Sequence, residues 1–376
     1  MNTPPLPMPA DDNDLADQAR PGHGVPSQDP DPAAQFALNP EEAERESDSV
    51  LTAGGMAAGI ATGAGLGALV GGPVGVVVGA GIGAVVGALG GTAAVALADD
   101  APSAASAPAS PVRLHIEDLR GAGRPVVLIH GWPLSAQAWR PQMSALQAAG
   151  YRVVAYDRRG FGRSDKPDSD YSYDTLADDL QQVLTQCDLQ DVTLVGFSMG
   201  GGEVARYMAR HGESRLHSVV FAAAVPPCLM QSADNPEGPL TPENALASRQ
   251  ALEQDRDAFF EAFTRRFFSA NGVLCVSELE RNEAIALCRQ SAPHAALACM
   301  DALNTTDFRD DLRQVTVPTL VIHGDADAIV PIEGSGERTH KAVRHSQMVR
   351  VGGAPHGLNV SHAHAFNEAL LSFLRV

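Results

Sequence analysis

From residue 112 onward, apolar positions fall in short continuous runs separated by stretches of helical period. Pro125-Val-Val-Leu-Ile-His130, Arg152-Val-Val-Ala-Tyr156 and Asp191-Val-Thr-Leu-Val195 are such runs. A run that is apolar at nearly every position suits a strand covered on both faces of a parallel sheet. Helical patterning over 135–149, halted at Gly150, and again over 173–187 separates these runs. Further strands are expected after 216, after 317 and over 346–351. The alternation predicts an α/β fold, a mostly parallel sheet flanked by helices. Residues 225–310 interrupt it with helical, loop-rich sequence and are expected to form an inserted cap.

The first 111 residues follow other patterns. Residues 51–98 contain no charged side chain, and glycine recurs at every fourth position from Gly55 to Gly91. In water such a glycine load costs a helix about 1 kcal/mol per residue relative to alanine. In a bilayer, small residues on one face let two helices approach closely. Gly71-Gly72-Pro73 breaks the run into two apolar segments, 51–71 and 74–97, each near the ~20 residues that a span requires. The pattern resembles glycine-zipper membrane hairpins, and a membrane-associated protein is the expectation, with 51–97 as its anchor. A flexible Ala/Gly linker is the plainer alternative. Residues 1–50, with eleven acidic residues against Arg20 and Arg45, have too little apolar surface to fold and are expected to be a disordered acidic tail. They lack the basic start and early apolar stretch of a Sec signal. The Ala/Pro/Ser composition of 99–111 reads as a linker.

Composition narrows the choice of chemistry. The formal net charge of the 376 residues is −18, which argues against nucleic acid as a partner. Five cysteines (Cys187, Cys228, Cys275, Cys288 and Cys299) form no C-x-x-C pair and read as mostly buried free thiols, although two of them could still pair. No metal-ligand spacing stands out and no dinucleotide fingerprint follows a strand, so neither metal nor cofactor is expected. The 265 residues from 112 onward are ample for one α/β domain.

Gly196-Phe197-Ser198-Met199-Gly200 lies between a strand and a helix, the setting that a G-x-S-x-G nucleophile elbow requires. A serine hydroxyl needs a base, and in this setting an acid and then a histidine follow in loops after later strands. His356, in Gly352-Gly-Ala-Pro-His-Gly357, meets that requirement; His130 and His323 lie at strand ends, and His362 and His364 start the last helix. Asp325 and Asp327 compete for the acid in the loop after Thr319-Leu-Val-Ile-His323. Asp325 sits in the strand-exit turn, where a carboxylate commonly caps local N–H groups; Asp327, further into the loop, is favoured. The oxyanion donors should be the Met199 N–H and one from the loop after the first strong strand, where Trp132 has an N–H and Pro133 has none. Pro133 and Phe197 are assigned to the substrate side of the site.

These segments (His130-Gly-Trp-Pro-Leu134, Tyr156-Asp-Arg-Arg-Gly-Phe-Gly-Arg-Ser164, Gly196 to Arg206, His323-Gly-Asp-Ala-Asp327 and Ala354-Pro-His-Gly357) together resemble the cofactor-free haloperoxidases, perhydrolases and aryl esterases of the α/β-hydrolase superfamily. The resemblance covers about 112–376, including the cap stretch Asp234 to Pro239. It implies an α/β-hydrolase fold, with Ser198 as nucleophile, Asp327 as acid, His356 as base and Trp132 and Met199 at the oxyanion hole. Related dehalogenases and epoxide hydrolases carry aspartate at the elbow, which Ser198 argues against. Members with perhydrolase activity carry proline at the place of Pro133, which would aim the Trp132 carbonyl at incoming peroxide. The acidic tail and glycine-rich segment depart from the family pattern.

The expected activity is cleavage of small-molecule carboxylic esters through an acyl-enzyme, at a membrane. Perhydrolysis with hydrogen peroxide as acyl acceptor is the alternative within enzymes. A reading from another class makes 51–97 the active part, a membrane-inserting or homo-oligomerising module with the hydrolase as cargo. Five phenylalanines (Phe259, Phe260, Phe263, Phe267 and Phe268) crowd one short stretch, to glue the cap to the core or to line an apolar pocket. Arg158, Arg159 and Arg163 lack a phosphate-binding loop and are expected in ion pairs.

Overall fold

The computed structural model describes residues 112–375. The tail expected over 1–50, the glycine-rich hairpin over 51–98 and the linker over 99–111 lie outside the described residues. A seven-stranded sheet carries the fold, with strands β1 (His115–Leu119), β2 (Pro125–Ile129), β3 (Arg152–Asp157), β4 (Val192–Phe197), β5 (Leu216–Ala222), β8 (Thr319–Gly324) and β9 (Gln347–Val351) in the order β1-β3-β2-β4-β5-β8-β9. All pairings are parallel except β1 with β3. Strands β4 and β8 are buried at every position, as continuous apolar runs covered on both faces must be.

Strand β1 is not among the strands expected from the sequence. Its residues, His-Ile-Glu-Asp-Leu, are all half-buried, so it lacks the apolar run that marks the central strands. Charged side chains are what an edge strand tolerates. A second addition is the two-stranded hairpin of β6 (Ser269–Ala270) and β7 (Val273–Leu274), too short to carry a periodic signal.

Helices α1 (Arg140–Ala148), α2 (Tyr173–Gln186) and α3 (Met199–His211) follow successive strands. The expected cap lies between β5 and β8. It is built of α4 (Pro242–Gln254), α5 (Arg256–Phe267), α6 (Glu278–Arg289), α7 (Pro293–Thr305) and the short α8 (Arg309–Leu312). Helices α4, α5 and α6 begin on sequence-encoded caps. Thr241 precedes Pro242 and accepts the Asn244 N–H, Asp255 accepts the Ala258 N–H, and Ser277 and Glu280 form a reciprocal capping box. After β8 come α9 (Gly336–Ala342), then β9, α10 (Leu358–Ser361) and α11 (Ala363–Leu374).

All five cysteines are free; Cys228, Cys288 and Cys299 are buried, and Cys187 and Cys275 half-buried. Burial pushes the Cys288 and Cys299 thiols up to about 12, which keeps them protonated and unreactive. Among the described residues no helix is long and apolar enough to cross a membrane.

Candidate active site

The end of β4 throws the chain into a turn so tight that Ser198 adopts φ 54° and ψ −117° before α3 begins at Met199. A non-glycine residue in that region stores strain and is held there only by its surroundings. The Ser198 N–H donates to the Ala222 carbonyl at 2.9 Å, and its carbonyl accepts the N–H groups of Gly201 at 3.0 Å and Val225 at 3.2 Å. Glycine is required on both sides of the serine. A Cβ on Gly196 would lie 2.5 Å from the Gly200 carbonyl oxygen, and one on Gly200 would lie 2.4 Å from the Ile129 oxygen. The close approach of α3 to β2 and β4 therefore sets the G-x-S-x-G spacing.

Three loops at the carboxyl ends of β4, β8 and β9 bring Ser198, Asp327 and His356 together. His356 Nδ1 donates to Asp327 Oδ2 at 2.6 Å. With the proton on Nδ1, Nε2 is left bare to accept the Ser198 hydroxyl at 2.9 Å. Asp327 Oδ1 accepts two backbone N–H groups, those of Ile329 at 2.9 Å and Val330 at 2.8 Å. Burial alone would raise the Asp327 carboxyl, but the positive field of His356 and hydrogen bonds from His323 and His356 outweigh it and hold it below the ordinary carboxylate range. It is therefore an anion throughout the working pH range. Asp325, its competitor in the sequence, accepts the Gly353 N–H at 2.6 Å and does the local capping expected of it.

His323 is a contact that sequence reasoning set aside. Its Nε2–H is shared between the Val330 carbonyl at 2.9 Å and Asp327 Oδ2 at 3.2 Å. It thus contacts the same carboxylate oxygen that takes the His356 hydrogen bond. The four-residue step from His323 to Asp327 across the strand exit was the available signal.

The loop after β2 faces the serine. Among the described residues neither the Trp132 N–H nor the Met199 N–H is spent on a hydrogen bond, and the latter belongs to the first turn of α3, whose donors have no intrahelical acceptor. Behind this loop lies a buried polar network. Arg158 pairs with Glu203 of α3, and Tyr156 donates to Glu203 Oε2 at 2.7 Å. The Arg158 side chain also donates to the His130 carbonyl at 2.6 Å, and its N–H donates to His130 Nε2 at 3.0 Å. With Nε2 accepting, the proton of His130 sits on Nδ1 and reaches the Gly131 carbonyl at 2.9 Å. Burial and the Arg158 charge lower the His130 pKa to about 3, so this anchor stays neutral at physiological pH. Removing one partner of the Arg158–Glu203 pair would strand the other charge, at about 3–5 kcal/mol. Arg159 pairs with Asp179, and Arg163 with Glu117 and Asp157, as expected of this arginine run.

A cavity of about 610 Å³ opens above Ser198, His356 and Trp132, walled by cap helices and the 328–331 loop. The phenylalanine cluster divides between both expected roles. Phe259 and Phe263 line the cavity, with their rings against Trp132 at 6.1 and 5.4 Å. Phe260, Phe267 and Phe268 are buried, and Phe267 packs edge-on against His356 at 5.1 Å. Trp132 fastens the loop after β2 to the cap as well, its indole N–H donating to the Ala296 carbonyl at 2.9 Å.

Two residues assigned to the substrate side do not reach the cavity wall. Phe197 is still in the strand when the chain turns, so its ring points into the core, between Trp139, Phe267 and His356. It supports the imidazole from behind. Pro133 is buried within the loop after β2 and is likewise absent from the wall.

The fold has known relatives. A family model described as alpha/beta hydrolase fold matches residues 124–363. The crystal structure of a bromoperoxidase from Bacillus anthracis is 50% identical, with a TM-score of 0.70, over 71% of this chain and 97% of its own. A non-heme chloroperoxidase of Kitasatospora aureofaciens is 41% identical over 258 residues, 68% of this chain and 93% of its own length. A bifunctional esterase/perhydrolase of Acinetobacter calcoaceticus is 34% identical over 257 residues, 67% and 92% of the two chains. With the family model spanning more than half of it, and relatives of this identity aligned over nearly their whole length, the chain belongs to the alpha/beta hydrolase family.

Proposed function

We propose that this protein is a serine hydrolase that cleaves carboxylic esters through an acyl-enzyme, with Ser198 as nucleophile, His356 as base and Asp327 as its acid partner. The observation that carries the reading is the continuous hydrogen-bonded chain Ser198–His356–Asp327, opening on a largely apolar cavity. Ser198 Oγ attacks the ester carbonyl while His356 Nε2 takes its proton. The carbonyl oxygen becomes an oxyanion, to be met by the free N–H groups of Trp132 and Met199. Collapse expels the alcohol, which receives the proton from His356. Water then attacks the acyl-enzyme with His356 again as base, releasing the acid and restoring Ser198. A fluorophosphonate probe should label the full-length protein at Ser198 alone, read by peptide mass; a protein that stays unlabelled and hydrolyses no ester would overturn the reading.

A second acceptor fits the same site. Hydrogen peroxide in place of water yields a peracid from the same acyl-enzyme, and the names of the chloroperoxidase and esterase/perhydrolase relatives favour it. The Trp132 carbonyl accepts no hydrogen bond among the described residues and is free to take one from the peroxide. Wild type is expected to form peracetic acid from acetate and peroxide, detectable by bromination of monochlorodimedone. Pro133→Leu should lower the ratio of perhydrolysis to hydrolysis while ester cleavage persists. An unchanged ratio leaves Pro133 a scaffold residue.

The finer part of the proposal places the enzyme at a membrane through residues 51–97, on the strength of their uncharged, glycine-phased sequence. Full-length protein is expected to sediment with membranes and to resist carbonate extraction, and the 112–376 fragment to remain in the supernatant. Full-length protein that stays monomeric and unsedimented without detergent assigns 51–98 to a linker instead.

A further inference from the structure

The cavity wall is mostly aliphatic and aromatic, yet it holds an amide that the catalytic chain does not use. Asn304, in the last turn of α7, is only 8% exposed and lines the cavity among Val225, Leu229, Met300 and Leu303. Its side chain has no hydrogen-bond partner among the described residues, and its polar atoms are not sealed in the core, so the cavity is where a partner can reach them. Ser248 of α4, also on the wall, is unpartnered in the same way. The two residues belong to one seam: Arg249, next to Ser248, is ion-paired with Asp301, one turn before Asn304. Arg266, the cationic side chain of the wall, stands exposed and donates to the Ala328 carbonyl at 3.0 Å, so the inner wall is neutral.

We propose that Asn304, with Ser248 on the same wall, forms a distal subsite for a neutral hydrogen-bonding group, a hydroxyl or carbonyl, carried by the ester at a distance from its reacting carbonyl. The inference rests on the ester-hydrolase reading and deepens it by naming the substrate class. An amide open to such a cavity is satisfied by solvent water when no substrate is bound. A plain alkyl ester expels that water and strands both the amide oxygen and the NH₂ group, which costs binding free energy. An ester with a polar end replaces the water and keeps the amide satisfied. A site built around such a group discriminates against the analogue that lacks it far more sharply than an apolar slot discriminates by size.

The test uses the full-length protein and a series of methyl alkanoates of increasing length, each paired with its ω-hydroxy counterpart. The ratio of kcat/KM for hydroxy over plain ester should peak at one chain length in wild type. In Asn304→Leu that peak should fall by about tenfold, the effect of one neutral hydrogen bond, whereas a purely structural Asn304 would scale both esters together. Asn304→Gln, whose amide reaches one methylene further, should move the peak to a shorter ester, and it carries the test if the leucine variant does not fold. Fluorophosphonate labelling of Ser198 in every variant separates the outcomes. Labelling with a flat ratio at all lengths, in wild type and variants alike, overturns the subsite alone. Wild type without labelling or turnover removes the hydrolase reading and the subsite with it.

Discussion

Ser198→Ala is expected to lower ester turnover by about 10⁶-fold, the scale found when the nucleophile of a Ser-His-Asp enzyme is removed. The loss is this large because the three side chains act as a unit. His356 Nε2, 2.9 Å from Ser198 Oγ, has no proton to take once the hydroxyl is gone, and no acyl-enzyme can form. Residual catalysis from the oxyanion donors and the cavity remains at about 10³–10⁴ over water. The fold should tolerate the change: the elbow is held by backbone hydrogen bonds from residue 198 to Ala222, Gly201 and Val225, which alanine retains. Turnover of a chromogenic ester by the variant, with circular dichroism and thermal unfolding as controls, checks the prediction. Activity near that of wild type would mean that another group carries the reaction.

The second prediction separates two aspartates two residues apart. Asp327→Asn should reduce kcat by about 10⁴-fold, as loss of the carboxylate does in other enzymes of this chemistry. An asparagine side chain brings one acceptor oxygen and one NH₂ group where the carboxylate brings two acceptors. Asp327 uses both of its oxygens, Oδ1 for Ile329 and Val330 and Oδ2 for His356 and His323. An NH₂ group facing His356 would leave Nδ1 bare and force the proton onto Nε2, where it can no longer accept from Ser198. Asp325→Asn removes only a charge from the hydrogen bond to the Gly353 N–H, and its effect on kcat should be far smaller. Steady-state rates of the two variants on one ester decide the matter, and the reverse order would assign the role to Asp325.

Much of the Ser198–His356–Asp327 chain was legible because the proposed chemistry constrains local sequence. The elbow must pass from strand to helix within one residue, so glycines flank Ser198. Acid and histidine must leave later strands at the same sheet edge, so they follow in that order. Asp327 could be separated from Asp325 by its depth in the loop alone. Side-chain direction was less legible. Phe197 precedes the nucleophile and was assigned to the substrate, but a strand residue at the brink of a turn still points into the sheet face. The five phenylalanines were legible as a cluster, while their division between wall and core depends on how α5 lies over the sheet.

The sequence by itself determined the parallel α/β alternation, the inserted cap and which serine, aspartate and histidine come together, because each follows from periodicity or from short local motifs at strand ends. Only the tertiary structure decided what contacts those residues keep. Strand β1, with no apolar run of its own, exists because β3 offers an open edge to pair with. Glu203 is the counter-ion of Arg158 because α3 and the loop after β3 meet behind His130. Asn304 lines the cavity without a side-chain partner among the described residues because cap helices about a hundred residues from the elbow in sequence fold back over it. Contacts between residues distant in sequence depend on how whole elements pack, and short-range patterns of apolar and polar residues carry no record of that packing.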